Sequence, residues 1–414
     1  MEFKEFEGYK YIDGGVCASK GFLANGLNSG INPNKEKNDM CLVFSEAQCS
    51  AAGVFTQNKV KGAPVIVSQN HLLKTNGHAR AVLANSKNAN TCNMDGIEIA
   101  EGASEIFAKE LGILPEEIIV GSTGVIGQRL SLEPFEKSAP QLVEGLSNSG
   151  NDKAANAIMT TDTFMKQVAV EFLIDGVTCR LGGMAKGSGM IHPNMATTLN
   201  FLTSDVAISP ELIKEALSDV VKVTYNCLSI DGDQSTNDTA TLMANGLSGN
   251  KEIVEKDAAY ETFKKALYIV MMNLTKLLAK DGEGATKLLE CDVTGAPDVE
   301  TGIIIAKSVI CSPLFKCAMF GEDANWGRIL CAIGYADADF DITKVDVAIS
   351  SKRGLVTVCN NGAGVSFSED EASEVLSDDE ITILIDLKQG SAEAKAWGCD
   401  LTYDYVKING DYRS

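Results

Sequence analysis

The sequence predicts an α+β chain of mixed strands layered with helices, on the strength of three observations. Apolar runs of strand length recur from residue 42 toward the carboxyl end. Stretches of helical spacing stand between them at irregular intervals, so the order is not a simple βαβ repeat. The composition, 45% hydrophobic and 22% charged over 414 residues, supplies a sizeable core and is long enough for about two or three domains.

The elements follow in order. Residues 42–69 hold strand-like runs, "CLVFSEAQCSAAGVFT" and then "APVIVSQ", with "RAVLANS" next at 80–86. "GIEIAEGASEIFAKELG" switches to helical spacing. "EEIIVGSTGVIGQRL" at 116–130 reads as a buried strand ending in a glycine-rich turn, and "VAVEFLIDGVTCRLGG" at 168–183 as a hairpin closed by Asp175-Gly176. Strand "TLNFLTS" leads to a helix starting at Ser209-Pro210, then to strand "TATLMANG" and a long helix over about 257–280. The last third carries the apolar run "TGIIIAKSVICS", a helix near "NWGRILCAIGYA", strands "VDVAIS", "GLVTVCN" and "EITILIDLK", and a final strand in "DLTYDYVKING".

A formal charge of −20 repels phosphate backbones and anionic membranes, which argues against nucleic acid and membrane partners. The first residues lack a basic stretch followed by an apolar one, and no window approaches about 18 uninterrupted apolar residues, so the expected compartment is cytoplasmic. Twelve cysteines are scattered with no CxxC, which predicts reduced packing residues and no metal site. With only His71, His78 and His192 in the chain, acyl chemistry needs a base other than imidazole.

Several motifs miss their templates. "DGDQSTND" at 231–238 sets Asp231, Asp233, Ser235 and Asn237 at alternate positions like a calcium loop, but Thr236 stands where the glycine belongs and Leu242 where the closing glutamate does. "DGEGATK" and "GSTGVIG" lack the phosphate-loop and dinucleotide spacings.

"KGSGMIHPNMATTLNF", residues 186–201, asks for more than a turn. A threonine hydroxyl needs a neighbouring base, and its own α-amine serves once it is freed at a chain terminus. That amine has a pKa of roughly 7.7–8.0, suited to taking and returning a proton near neutrality. Attack of the Thr197 hydroxyl on the Ala196 carbonyl would form an ester, and water would then release the new terminus. Gly187, Gly189 and Pro193-Asn194 could hold the backbone in a strained geometry that favours the attack. In "GSTGVIG", backbone N–H groups and the Ser122 or Thr123 hydroxyl could meet a developing oxyanion, and Lys186 could bind a carboxylate.

Together these stretches resemble the ornithine acetyltransferase family, the bifunctional glutamate N-acetyltransferases of arginine biosynthesis. "KGSGMIHPNMAT", "STGVIG", "IMTTDTF", "DGDQSTNDTATLMANG", "DGEGATK", "FGEDANWGRI" and "LTYDYVKINGDYRS" are similar to family blocks in the same order, over essentially the whole chain. The resemblance implies an N-terminal-nucleophile-like α/β sandwich core with a smaller C-terminal α/β region from about 285, and a C-terminal strand returning to the active site. It implies self-cleavage between Ala196 and Thr197 into an α chain, 1–196, and a β chain, 197–414. Thr197 is then the nucleophile that carries acetyl from N-acetylornithine to glutamate. Thr123 and Gly124 form the oxyanion hole, and Thr160, Lys186, Thr197, Glu283, Asn409 and Ser414 line the substrate pocket.

The same resemblance implies no bound cofactor, acetyl-CoA as a second candidate donor, and a heterotetramer of two α and two β chains. Two positions depart from the family pattern. Thr198 stands where methionine is usual, so two hydroxyls follow Ala196, and Ser414 stands where threonine is usual. Which of Thr160 and Thr161 touches substrate is open. So is the acceptor, because an amidase with the same self-cut threonine would deliver the acyl group to water.

Overall fold

The structure, a computed structural model, describes residues 2–192 and 198–411. Among them are two mixed sheets with helices packed against both, as the α+β reading expects. The nine-stranded sheet contains β1 (Tyr9–Ile12), β2 (Phe22–Leu27), β3 (Met40–Phe55), β4 (His78–Asn85), β5 (Ile118–Ser122), β6 (Lys166–Ile174), β7 (Val177–Lys186), β8 (Leu199–Ser204) and β10 (Thr239–Ala244). Its order is β1-β6-β7-β8-β10-β3-β4-β5, with β2 also on β3. The seven-stranded sheet takes β9 (Leu228–Ser229), β11 (Leu288–Ala296), β12 (Asp346–Ser351), β13 (Gly354–Asn360), β14 (Ala363–Gly364), β15 (Glu380–Asp386) and β16 (Ala392–Cys399).

Strand β3 decides the shape of the first sheet. Its pairing with β4 shifts register between Phe44 and Cys49, and its halves serve different partners: Met40–Ser45 pair with β2, and Ser50–Phe55 with β10. Such a break bends the strand. The two halves of the sheet then close on a shared apolar layer in which Val43, Val82, Ala84 and Ile119 meet Met184, Leu199 and Phe201. A Cβ on Gly121 would lie 3.0 Å from the Phe201 ring, which is how closely β5 rides over β8. This folding-over carries the end of β5 to the end of β7.

The helices are α1 (Ala63–Lys74), α2 (Gly96–Leu111), α3 (Glu133–Glu144), α4 (Asn151–Ala157), α5 (Pro210–Lys222), α6 (Ala258–Lys280), α7 (Val299–Cys311), α8 (Pro313–Phe320), α9 (Trp326–Gly334), α10 (Glu369–Leu376) and α11 (Tyr403–Asp411). Ser209 and Asp257 cap α5 and α6 by accepting the Leu212 and Tyr260 amides. Helix α6 touches both sheets, and its buried face, with Phe263, Leu267, Val270 and Leu274, joins them in one core. Among the described residues no single helix is long and apolar enough to cross a membrane.

Two elements differ from the sequence reading. "APVIVSQ" is helix α1, not a strand: Pro64 sits in its first turn, where a fixed φ favours a helix, and a short apolar run alone does not separate the two periods. "DLTYDYVKING" is helix α11, so the element that returns to the site at the carboxyl end is a helix and not a strand. Alternate Tyr403 and Tyr405 mimic a strand, but the Thr402 hydroxyl accepts the Tyr405 amide and starts a helical turn. Eight of the cysteines are buried as the packing reading expects, whereas Cys92, Cys317 and Cys331 are exposed and Cys311 is intermediate.

Candidate active site

Four strand ends converge on one cavity of about 150 Å³. The turn after β5 brings Thr123 and Gly124, the end of β7 brings Lys186, the residue before β8 is Thr198, and the residue before β10 is Asp238. Thr160 and Thr161, Glu283 after α6, and Asn409 on α11 complete the wall. The site residues expected at 123, 124, 160, 186, 283 and 409 therefore meet. Thr197, Ala196 and Ser414, like Pro193-Asn194, lie outside the described residues.

Thr123 and Gly124 are set up as donors. The Thr123 N–H is spent on the Asn85 carbonyl at 3.0 Å, but its Oγ1 accepts from Lys186 Nζ at 3.2 Å, which leaves the hydroxyl proton to donate elsewhere. The Gly124 N–H makes no hydrogen bond among the described residues. Gly124 has φ +129°, and a Cβ there would sit 2.2 Å from the Lys87 carbonyl carbon, so only glycine fits. Ser122 is excluded from this role, because its hydroxyl donates to Asn85 Oδ1 at 2.7 Å.

Lys186 is buried beside a charge network that the sequence reading missed. Lys166, wholly buried, bonds Asp162 at 2.7 Å and Asp281 at 2.5 Å. Burial would raise the Asp162 carboxyl, yet Lys186 and Lys166 hold it at about 2, while its Oδ1 also accepts the Gly187 amide at 2.7 Å. Burial pushes the Lys186 ammonium down and Lys166 adds to this, against the opposing pull of Asp162, Asp238 and Glu283. Asp238 goes the other way from Asp162: burial lifts it to about 7, only partly offset by the Thr198 amide, Lys186 and Ser235. The signal for this network was in "IMTTDTF" and "STND", but nothing local says that Lys166 joins Asp162 to a second carboxylate, Asp281, 115 residues further along the chain from Lys166.

The glycines of the 186–201 stretch make room. A Cβ on Gly187 would meet the Thr198 methyl at 2.5 Å, and one on Gly189 would meet the Glu283 carboxylate at 2.4 Å. Glu283 accepts from Asn409 Nδ2 at 2.7 Å, which ties α11 to the cavity. Thr161 shares a 2.6 Å hydrogen bond with Ser188, whereas the Thr160 hydroxyl has no such bond among the described residues and is the one left to meet a ligand. The Thr198 hydroxyl accepts from Asn200 Nδ2 at 2.6 Å. Asp231 spends its oxygens on the Met190 and Ile191 amides, anchoring this stretch instead of making a calcium loop. His71, His78 and His192 bond Ile118, Thr75 and Ser229, and none is among the residues lining the cavity.

Comparison with known proteins identifies the family. A model of the ArgJ family matches residues 23–414. The arginine biosynthesis bifunctional protein ArgJ 1 of Clostridium acetobutylicum is 49% identical over 95% of this chain and 96% of its own length. The ArgJ bifunctional protein of Caldanaerobacter subterraneus subsp. tengcongensis is 48% identical over 97% of this chain and 99% of its own. A crystal structure of the Bacillus halodurans ArgJ protein, 41% identical, covers 51% of this chain and 98% of that one with a TM-score of 0.49. With a match that runs through every block of the cavity and identities near one half across almost its full length, this chain belongs to the ArgJ family, the glutamate N-acetyltransferases that its motifs resemble.

Proposed function

We propose that the protein transfers acetyl from N-acetylornithine to glutamate through an acetylated Thr197, after cutting itself between Ala196 and Thr197. The observation that carries this reading is the convergence of Thr123, Gly124, Thr160, Lys186, Glu283 and Asn409 on one cavity that also reaches Thr198, the neighbour of the nucleophile.

The steps follow from the groups. The Thr197 Oγ attacks the acetyl carbonyl, and its own α-amine takes the hydroxyl proton and returns it to the departing amine of ornithine. Negative charge on the tetrahedral oxygen is met by the Thr123 hydroxyl and the Gly124 N–H. Glutamate then enters, and its amine attacks the acetyl ester by the reverse path. Both substrates present an α-carboxylate for Lys186, while the side-chain ammonium of ornithine is matched by Glu283. Acetyl-CoA is a second donor to the same threonine, as the word bifunctional in the relatives' names supports. No histidine is required.

Cleavage at 196/197 would not separate the halves. β8 and β10, from beyond the cut, lie between β7 and β3, from before it. The fragments share one hydrogen-bonded sheet, which supports their staying together as one α–β pair; we propose that two such pairs make the heterotetramer of two α and two β chains.

The deciding experiment incubates the purified protein with N-acetylornithine, with and without glutamate. Glutamate-dependent release of ornithine with N-acetylglutamate formed in equal amount, and an acetyl group on Thr197 when glutamate is withheld, are the expected results. Ornithine release that is indifferent to glutamate would instead mark an amidase.

A further inference from the structure

Three charged side chains are sealed behind the cavity wall. Lys166 opens β6 and is 0% exposed, the Asp162 side chain is equally buried, and Asp281 is 4% exposed. All three donors of the Lys166 ammonium are engaged, by Asp162 Oδ1 at 2.7 Å, Asp281 Oδ2 at 2.5 Å and the Phe164 carbonyl at 3.4 Å, and the Phe164 ring lies 4.9 Å away. None of the three charged residues lines the cavity. Taking such groups out of water is costly, and an apolar filling of the same volume is often as stable, so the triad calls for a reason beyond stability.

The reason lies in where the remaining acceptors point. Asp162 Oδ2 accepts the Thr160 N–H at 3.0 Å, and its Oδ1 accepts the N–H of Gly187, the residue after Lys186, at 2.7 Å. Asp281 accepts the Thr163 N–H at 3.0 Å together with the Thr163 hydroxyl. Two residues further on, the Glu283 N–H donates to the Ser188 carbonyl at 2.8 Å, and the Ser188 hydroxyl engages Thr161. One cation thus ties together three segments, 160–166, 186–188 and 281–283, which between them supply Thr160, Thr161, Lys186 and Glu283 to the cavity. Thr123 and Gly124, in the turn after β5, make no bond to the triad among the described residues.

We propose that Lys166 is the positioning residue of the substrate-binding wall: through Asp162 and Asp281 it sets the separation of Lys186 and Glu283, which grip the α-carboxylate and the side-chain ammonium of ornithine. This rests on the substrate reading above. Two charges that must meet the two ends of one amino acid tolerate only about 0.5 Å of drift. Lys166 touches no ligand and enters no bond change, and it acts through the two carboxylates.

The test measures ornithine binding to the purified protein by titration calorimetry, which reports Kd and the number of sites separately, alongside KM and kcat for N-acetylornithine. Lys166→Met keeps an unbranched stem without the charge. It is expected to raise Kd by about 10–100-fold, the scale of one charged hydrogen bond to the ligand, and KM in step, with kcat changed less. Asp281→Asn keeps shape and an acceptor and is expected to raise Kd about threefold, since a neutral acceptor holds Lys166 less firmly than a carboxylate. A brace that served only stability would lower the thermal midpoint and the number of competent sites but leave the Kd of the folded fraction alone, as Ile383→Ala in β15 should. An unchanged Kd in folded Lys166→Met overturns the proposal. Where that variant fails to fold, because two buried carboxylates lose their counterion, Asp281→Asn decides, and an unchanged Kd there overturns it equally. Wild type that binds no ornithine sinks the substrate reading itself, whereas wild type that binds it beside unaltered variants sinks only the role of Lys166.

Discussion

The two sheets obey different rules. In β11, β12, β13, β15 and β16 every buried position is apolar or glycine, and β15 alternates without a break, with Ile381, Ile383 and Ile385 buried. The site-facing strands of the first sheet bury Lys166, Lys186, Ser122, Asn200, Thr239 and Thr241. Burying such groups costs stability unless each finds a partner, and the Lys166 network shows how densely they are supplied here. One sheet is built for packing, and the other gives up packing to hold chemistry. Departures from local rules therefore mark the site.

Four measurements break or sharpen that contrast. The largest effect belongs to Thr197→Ala, which should remain one uncut chain with no acetyl transfer, read by intact mass and by the glutamate-dependent assay. Thr123→Val removes one of the two oxyanion donors proposed above and should lower kcat by about 10²–10³-fold with little change in folding, while Thr123→Ser keeps most of the rate. Ile383→Ala, in the second sheet, should cost about 2–5 kcal/mol in a denaturant titration and leave the turnover of folded enzyme unaltered. If it also lowered turnover, the division of labour between the sheets would fail.

The smallest effect is acid sensitivity. The native carboxyl of Asp162 is held at about 2, below its unfolded value of about 3.9, so the stability it contributes is present above about pH 4 and is lost as the pH falls toward 2. Acid unfolding followed by circular dichroism should show a loss of order 2 kcal/mol across that window, and Asp162→Asn should flatten it. An unchanged slope in that variant would assign the acid limb to other carboxylates.

Much of the site was legible because its groups sit in short, unusual words. "STGVIG" gave Thr123 and Gly124, "IMTTDTF" gave Thr160, and "KGSGMIHPNMAT" gave Lys186, and all of these line the cavity. Thr160 and Thr161 both line the cavity, and what sets them apart, the Ser188 hydroxyl that engages Thr161, is not visible in the sequence. Asp238 was read past, inside a stretch weighed as a calcium loop, because burial and a distant lysine give it its character. The misread elements have local causes: α1 is too short an apolar run to declare its period, and α11 has aromatic residues spaced like a strand.

The sequence by itself determined the element types wherever the pattern was long, as in α2, α5 and α6, together with the short words whose residues meet at the cavity. Periodicity and turn chemistry are local, so a single chain carries them openly. Only the tertiary structure decided that Lys186 reaches Thr123, 63 residues away, and that Asn409 reaches Glu283, 126 residues away. It also decided that Asp162 and Asp238 titrate in opposite directions. Those outcomes depend on the bend in β3, on burial and on the placing of Lys166 and Lys186, and a carboxylate's pKa is set by the charges and solvent around it, not by its neighbours in sequence.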